Sequence, residues 1–269
     1  MAYLGIDIGG TKTLIVLFDN KGSIIYRQKI LTSKNYPKFL EDIKENLEQI
    51  KDVSLEACAV AIPGLINKQK DTAVAFGNLP WKNVPIKTDI ERIARCSVLI
   101  EHDVSLGGLY EARQLTPAEE KVLYITISTG IGVGVIVNNK IDLQMATSEP
   151  GQMEISHEGK MQKWESFASG SAIKRNIGKQ AKDIHDDHTW SIIAKNISEG
   201  LLDVIAIMQP DSIIFGGGVG HYFKNFHAPL SKELKKYDNP LIKIPNLRPA
   251  KDPDNSVILG CFELMKDNF

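Results

Sequence analysis

Gly5-Ile6-Asp7-Ile8-Gly9-Gly10-Thr11-Lys12 combines residue types that together can hold a nucleotide phosphate. Two adjacent glycines between apolar runs allow positive φ and let backbone N–H groups come close to an anion. Thr11 adds a hydroxyl and Lys12 a cation at the same point. Asp7, at the end of the first apolar run, is placed to hold Mg²⁺ through water, because Mg²⁺ keeps several waters when it binds a carboxylate. A plain hairpin with a glycine turn needs neither the acid before the turn nor the lysine after it, so the pattern favours phosphate binding.

Two further glycine runs could complete such a site. Thr126-Ile127-Ser128-Thr129-Gly130-Ile131-Gly132-Val133-Gly134 reads as a second strand–turn–strand, a jaw opposite the first on the β- and γ-phosphates. It is not a dinucleotide fingerprint, since the apolar strand Val133–Val137 follows where a helix is required, and no G-K-S/T closes it as a P-loop. Taken alone it suits a glycine-rich sheet bend equally well. Phe215-Gly216-Gly217-Gly218-Val219-Gly220 lies between a buried strand and a helix. It can pack a nucleoside on bare backbone, or simply make a tight strand-to-helix turn. His221 stands where G-x-G-x-x-G needs its last glycine, and the acid nearest a ribose-binding spacing is Asp238.

Glu101-His102-Asp103 ends the short apolar run that begins at Val98. Asp103 can accept the proton of a substrate hydroxyl there, or it can cap a helix. Position alone favours the cap.

These residues need strands that end together. Apolar, β-branched runs at Tyr3–Ile8, Lys12–Phe18 and Ser23–Ile30 predict a β-meander, and Lys121–Ile127, Ile131–Val137 and Lys140–Leu143 repeat it roughly 120 residues later. Phe39, Ile43, Leu47 and Ile50 recur at helical spacing before the strand Leu55–Ile62. The sequence predicts a helix over Val104–Arg113 after the strand at Val98–Glu101, so the boundary near residues 105–120 is expected to be a helix and a hinge. Ile193, Ile197, Leu201, Val204 and Met208 predict a long helix stopped by Pro210 before the strand Ser212–Phe215, and Val257–Lys266 predicts a closing helix. Strands alternating with helices give the class α/β, with two similarly built sheets.

Eight motifs in order then resemble the ROK family of sugar kinases, within the actin-like ATPase superfamily. They are D-I-G-G-T-K at 7–12, A-I-P-G at 61–64, N-L-P-W at 78–81, E-H-D at 101–103, S-T-G-I-G-V-G at 128–134, E-P-G-Q at 149–152, W-E-S-F-A-S-G at 164–170 and F-G-G-G at 215–218. The resemblance covers nearly the whole chain. It implies two actin-like (ribonuclease H-like) domains with a nucleotide and sugar cleft between them: residues 1–115, completed by the C-terminal helix 256–269, and residues 116–255. It also implies a glucokinase-like activity, the ATP-dependent phosphorylation of a hexose or N-acetylhexosamine on its primary hydroxyl, with Asp103 as general base. Asp7, Gly9, Gly10, Thr11, Lys12, Thr129 and Gly130 would position ATP and Mg²⁺, and Gly217 and Gly218 would lie beside the nucleoside. Gly64, Asn78, His102, Asp103, Glu149, Gln152 and Glu165 would bind the sugar.

Three departures from the family pattern bear on the substrate and on metal. His102 replaces an Asn that commonly contacts the sugar, and Gln152 replaces a His that commonly touches the sugar and ligates zinc. The zinc loop C-x-C-G-x-x-G-C is absent, and Ser156–Lys163 contains no Cys. His157 alone cannot build a tetrahedral site, and His185 and His188 beside Asp186 and Asp187 read as a solvated loop. No structural zinc is therefore expected. Glucose, N-acetylmannosamine, N-acetylglucosamine, fructose and allose all stay open as substrates.

The alternative is a catalytically weak or inactive sugar sensor on the same scaffold. Repressors of the family carry a DNA-binding domain before the D-x-G-G-T motif; here the motif starts six residues after Met1, so nucleic acid is not an expected partner. A chaperone-type or polymerising ATPase would have no use for N-L-P-W, Glu149 and Glu165. The formal net charge of -1 calls for neither nucleic acid nor an anionic membrane. The N-terminus has no signal-peptide pattern, and no apolar run approaches the ~20 residues of a membrane span. Cys58, Cys96 and Cys261 are scattered among apolar residues and read as reduced core fillers in a cytoplasmic protein. Family members are often dimers, which leaves a homodimer open.

Overall fold

Leu4, Ile6 and Ile8 alternate with Tyr3, Gly5 and Asp7, so the first strand has two faces and each needs a cover. The computed structural model, which describes residues 1–67, 69–237 and 239–269, supplies one cover on each side. The chain divides into two compact units, Met1–Tyr110 with Asn255–Phe269, and Glu111–Asp254. The first contains β1 (Ala2–Ile8), β2 (Lys12–Phe18), β3 (Ile24–Leu31), α1 (Tyr36–Glu48), β4 (Leu55–Ile62), β5 (Gly64–Asn67), β6 (Thr72–Phe76), β7 (Lys82–Val84), α2 (Ile86–Ala94), β8 (Ser97–His102) and the first part of α3 (Asp103–Arg113). The second contains β9 (Lys121–Ile127), β10 (Ile131–Val137), β11 (Lys140–Ile141), β12 (Glu154–His157), β13 (Lys160–Lys163), α4 (Trp164–Ala168), α5 (Gly170–Ile177), α6 (Asp187–Met208), β14 (Ser212–Gly216), α7 (Gly217–Gly220), α8 (Phe223–Leu234) and β15 (Asn246–Pro249). The last helix, α9 (Ser256–Asn268), belongs to the first unit.

Each unit is built on a five-stranded sheet, ordered β3-β2-β1-β4-β8 in the first and β11-β10-β9-β14-β15 in the second. In both, the meander strands pair antiparallel and the later strands add in parallel. The echo between the two halves of the sequence is thus an identity of strand order and direction.

In the first unit, Leu4, Ile6 and Ile8 pack with Phe39 and Ile43 of α1 and Ile90 of α2. The other face is narrow: Ala57, Ala59 and Ala61 of β4 leave room for Ile258, Cys261 and Met265 of α9. In the second unit Leu123, Ile125 and Ile127 meet the stripe Ile193, Ile197, Leu201 and Val204 of α6, with Phe226 and Leu230 of α8. Cys58 and Cys261 are wholly buried, and burial pushes both thiols well above the ordinary range; Cys96 is only half-buried.

Boundaries differ from the sequence reading at informative places. β8 runs on to His102, and α3 opens on Asp103 rather than Val104. Around His185 and His188 the chain is not a loop throughout: Asp186 accepts the N–H of Thr189 at 2.8 Å and caps α6, so Asp187 and His188 open that helix. β11 ends at Ile141 because Asp142 opens a turn, its Oδ1 accepting the N–H of Gln144 at 2.9 Å and its carbonyl that of Met145 at 3.2 Å. Among the described residues no helix is long and apolar enough to cross a membrane.

Candidate active site

In the first unit the expected residues gather at one sheet edge. Asp7 is level with Ala61 in β4, and Ala61 with Glu101 in β8, so β1, β4 and β8 end side by side. Their continuations are the Gly9–Gly10 turn, Pro63-Gly64 and His102-Asp103, and the carboxyl ends of parallel strands are where open α/β sheets bind ligands. The turn is closed by Gly9 N–H donating to Lys12 O at 3.0 Å. Thr32 steadies it from β3's end, donating through Oγ1 to Gly9 O at 2.8 Å and through N–H to Thr11 O at 2.9 Å.

Asp7 is half-buried at that edge. Loss of water raises its carboxyl from 3.8 to about 6, the attraction of Lys29 offsetting only part of the shift. Asn78 sits against the turn, since a Cβ on Gly10 would lie 2.6 Å from Asn78 Cβ. Gly64 has a packing reason for its identity: a Cβ there would lie 2.1 Å from Ala75 O across the β5–β6 pair. Trp81 of N-L-P-W is core, 4% exposed, with Nε1 donating to Lys34 O at 3.0 Å.

Glu101 and His102 are buried, and His102 N–H donates to Glu101 Oε1 at 3.0 Å. Asp103 Oδ1 accepts the N–H of Val104 at 2.7 Å. Asp103 is the first residue of α3 and stays half-buried at the strand ends that carry Asp7. An N-cap precedes the first helical residue and accepts from the second or third, so this bond to the next residue is not the cap that position alone favours.

The second unit repeats this arrangement. Gly216 of β14 is level with Thr126 of β9, so the Ser128–Gly130 turn and Gly217 leave adjacent strand ends. Glu165, opening α4, lies against the turn: its Oε2 would be 2.5 Å from a Cβ on Gly130 and accepts the N–H of Ile131 at 3.4 Å. Gln152 Nε2 donates to Glu165 Oε1 at 2.6 Å. Glu149 is close enough that, after the loss of water around it, the charge of Glu165 pushes its carboxyl upward. Gly151 fits beneath this group because a Cβ there would lie 2.3 Å from Ile131 O. The turn and three of the expected sugar residues, Glu149, Gln152 and Glu165, are thus one constellation.

Gly217 has φ +74°, and a Cβ would lie 2.5 Å from Thr126 Oγ1. Gly218 meets nothing within 4 Å and lines a cavity of about 420 Å³ with Ser128, Thr129, Lys174, Lys182 and Tyr222. The cavity connects the turn to the third glycine run. Sequence reasoning missed Lys174, Lys182 and Tyr222, which look like an ordinary solvated face until α5 and the chain before α8 bring them together. Asp238 lies outside the described residues.

His157 is held by structure. Its ring stacks on Phe167 at 3.8 Å, and Nδ1 is 2.7 Å from Glu199 Oε2. Among the described residues no group of three or more His, Cys, Asp or Glu side chains is arranged to hold a metal ion.

Comparison with known proteins places the chain. The pattern of the family described as the ROK family matches residues 3–268. A glucokinase of Streptomyces coelicolor is 25% identical, over 87% of this chain and 87% of its own length. A xylose repressor of Bacillus subtilis is 28% identical, over 67% of this chain and 51% of its own. The crystal structure of a ROK family glucokinase from Streptomyces griseus, in complex with glucose and AMPPNP, matches with a TM-score of 0.83 at 20% identity, covering 100% of both chains. That likeness establishes the mixed α/β fold of actin-like type.

Proposed function

The chain belongs to the ROK family, and from that membership we propose that it is an ATP-dependent sugar kinase acting on the primary hydroxyl of a hexose or N-acetylhexosamine. The observation that carries the proposal is Glu165. Its carboxylate touches the Ser128–Gly130 turn and gathers Gln152 and Glu149, a donor and acceptor set suited to a polyol, beside a turn suited to phosphate. An ATPase without a sugar has no use for that pairing. Binding of AMPPNP and glucose by the Streptomyces griseus protein supports it.

In this reading Gly10, Thr11, Lys12, Thr129 and Gly130 hold the phosphates, and the cavity beside Gly218 takes the nucleoside. The sugar's hydroxyl oxygen attacks the γ-phosphorus, the bond to the β–γ bridging oxygen breaks, and ADP leaves with that electron pair. Asp103 takes the hydroxyl proton. Asp7 fits a divalent cation: a half-buried carboxyl raised by lost solvation gains most from a positive charge nearby. Bound there through water, Mg²⁺ would supply charge that offsets the phosphates. Positioning and charge neutralisation are most of what phosphoryl transfer asks of a protein.

ATP-dependent phosphorylation measured across glucose, fructose, allose, N-acetylglucosamine and N-acetylmannosamine tests this. No turnover on any of them, or turnover undiminished in Asp103→Ala, overturns it. A second reading, a sugar sensor, draws support from the similarity to the xylose repressor. Sugar binding in calorimetry with no ATP turnover would select it.

A further inference from the structure

Gln152 stands between a cation and a carboxylate. Lys163 Nζ is 2.9 Å from its Oε1, and its Nε2 is 2.6 Å from Glu165 Oε1. An ammonium can only donate and a carboxylate can only accept, so the two neighbours together fix which way the amide points. Glu165 Oε2 in turn accepts from Ile131 N–H. One chain of hydrogen bonds therefore runs from Lys163 through Gln152 and Glu165 to the end of the Ser128–Gly130 turn.

The backbones that carry these groups are cross-linked. Trp164, between Lys163 and Glu165, is fully buried, and its Nε1 donates to Asn196 O at 3.3 Å. Its N–H donates at 2.9 Å to the carbonyl of Met153, the residue after Gln152. A Cβ on Gly200 of α6 would lie 2.4 Å from the indole, so the ring is wedged against that helix. Lys163 also pairs with Glu154 across β12 and β13. The Lys163 side chain itself is exposed and adds little to burial. Its contribution is therefore directional: the ammonium holds the oxygen end of the Gln152 amide.

Resting on the kinase reading, we propose that Lys163 is a positioning residue for the sugar site: it holds the Gln152 amide so that Nε2 keeps Glu165 in its sugar-binding orientation. Without the ammonium, the exposed Gln152 amide keeps Glu165 as its one anchor of this pair and is free to swing out to water. Glu165 then loses its short, charge-assisted partner.

Calorimetric titration with D-glucose, D-fructose and N-acetyl-D-mannosamine, without nucleotide, reads this directly. For the sugar held most tightly by the unaltered chain, Lys163→Met is expected to weaken binding about tenfold. Lys163→Arg restores most of the loss, because a guanidinium also donates to Oε1. Lys160→Met removes an exposed charge from the same strand without touching Gln152 and leaves binding unchanged. Melting temperatures stay level across the three variants, and in steady-state assays Lys163→Met raises the sugar KM while the ATP KM holds. Equal binding by Lys163→Met and the unaltered chain overturns the proposal, as does an equal loss in Lys160→Met. An unaltered chain that binds sugar but phosphorylates none removes the kinase reading alone, and the binding comparison still decides the role of Lys163. A chain that binds none of the three sugars, and also neither binds nor phosphorylates allose or N-acetylglucosamine, overturns both.

Discussion

Asp7 links the stability of the first unit to its chemistry. Its carboxyl moves from 3.8 to about 6 on folding. Between those values the folded chain holds more proton than the unfolded chain, so the penalty on folding is absent below about 3.8, grows as pH rises and is fully present above about 6. At pH 8 the opposition is complete and amounts to about 3 kcal/mol at most. Asp7→Asn should therefore raise stability by up to that amount at pH 8, with the gain fading towards pH 4, while ATP turnover disappears. Urea melts at the two pH values, set beside turnover, check both halves; a variant less stable at pH 8 would refute the account. At Asp103 the expectation is different. Asp103→Asn should lower kcat about a hundred- to ten-thousand-fold and leave sugar affinity within a few-fold. The turn at Gly9–Gly10 was legible from residue type and spacing, although neither glycine adopts the positive φ that such a pair allows. Asp103 could not be assigned from position: it is the first residue of α3, its carboxylate accepts the N–H of Val104, and its role as base stands as the proposal that the substitution tests. Lys163 was invisible in the sequence, because its partner Gln152 is reached only through the β12–β13 hairpin.

At the scale of elements, length decided what could be read. β1, β2, β4, β9, β10 and α6 were evident because several turns of one period repeat in each. Asn138 and Asn139 join β10 to β11 with positive φ at both, 50° and 59°, which asparagine tolerates at a two-residue hairpin turn. β5, β6 and β7 are too short to show a period, and they are held by register, as at Gly64 opposite Phe76. The third glycine run was read as a strand running into a helix, but α7 is a single turn, Gly217–Gly220, before α8. Its first two glycines do different work, and substitution separates them. Gly217→Ala forces a side chain into positive φ and against Thr126 Oγ1, and should cost at least about 1–2 kcal/mol and lower the melting temperature. Gly218→Ala has open space around it. It should melt like the unaltered chain and raise the ATP KM, because its methyl enters the cavity proposed for the nucleoside. Equal melting temperatures for the two variants would count against this division.

For the whole molecule, the two units have separate cores, and this has a measurable consequence. Leu4, Ile6, Phe39 and Ile43 belong to one, and Ile125, Ile197, Phe215 and Phe226 to the other. The last helix joins the first unit through small residues: Ala57, Ala59 and Ala61 on the sheet, and Gly260 on α9. A Cβ at Gly260 would lie 2.0 Å from the carbonyl oxygen of Leu106 in α3, so no larger residue fits without moving the helix. Such alternation of small and large residues is visible in the sequence, but the partner that needs the space, some 150 residues away by rough count, is not, because closure over that distance is fixed by topology rather than by local pattern. Gly260→Leu should overpack the α3–α9 contact at a cost of about 1–3 kcal/mol. If the cores are independent, hydrogen exchange will show that loss in the amides of β1, β4 and β8, while those of β9, β10 and β14 keep their protection. Protection falling by the same amount in both sheets would mean that the units unfold as one, and that the separation of cores has no counterpart in the energetics.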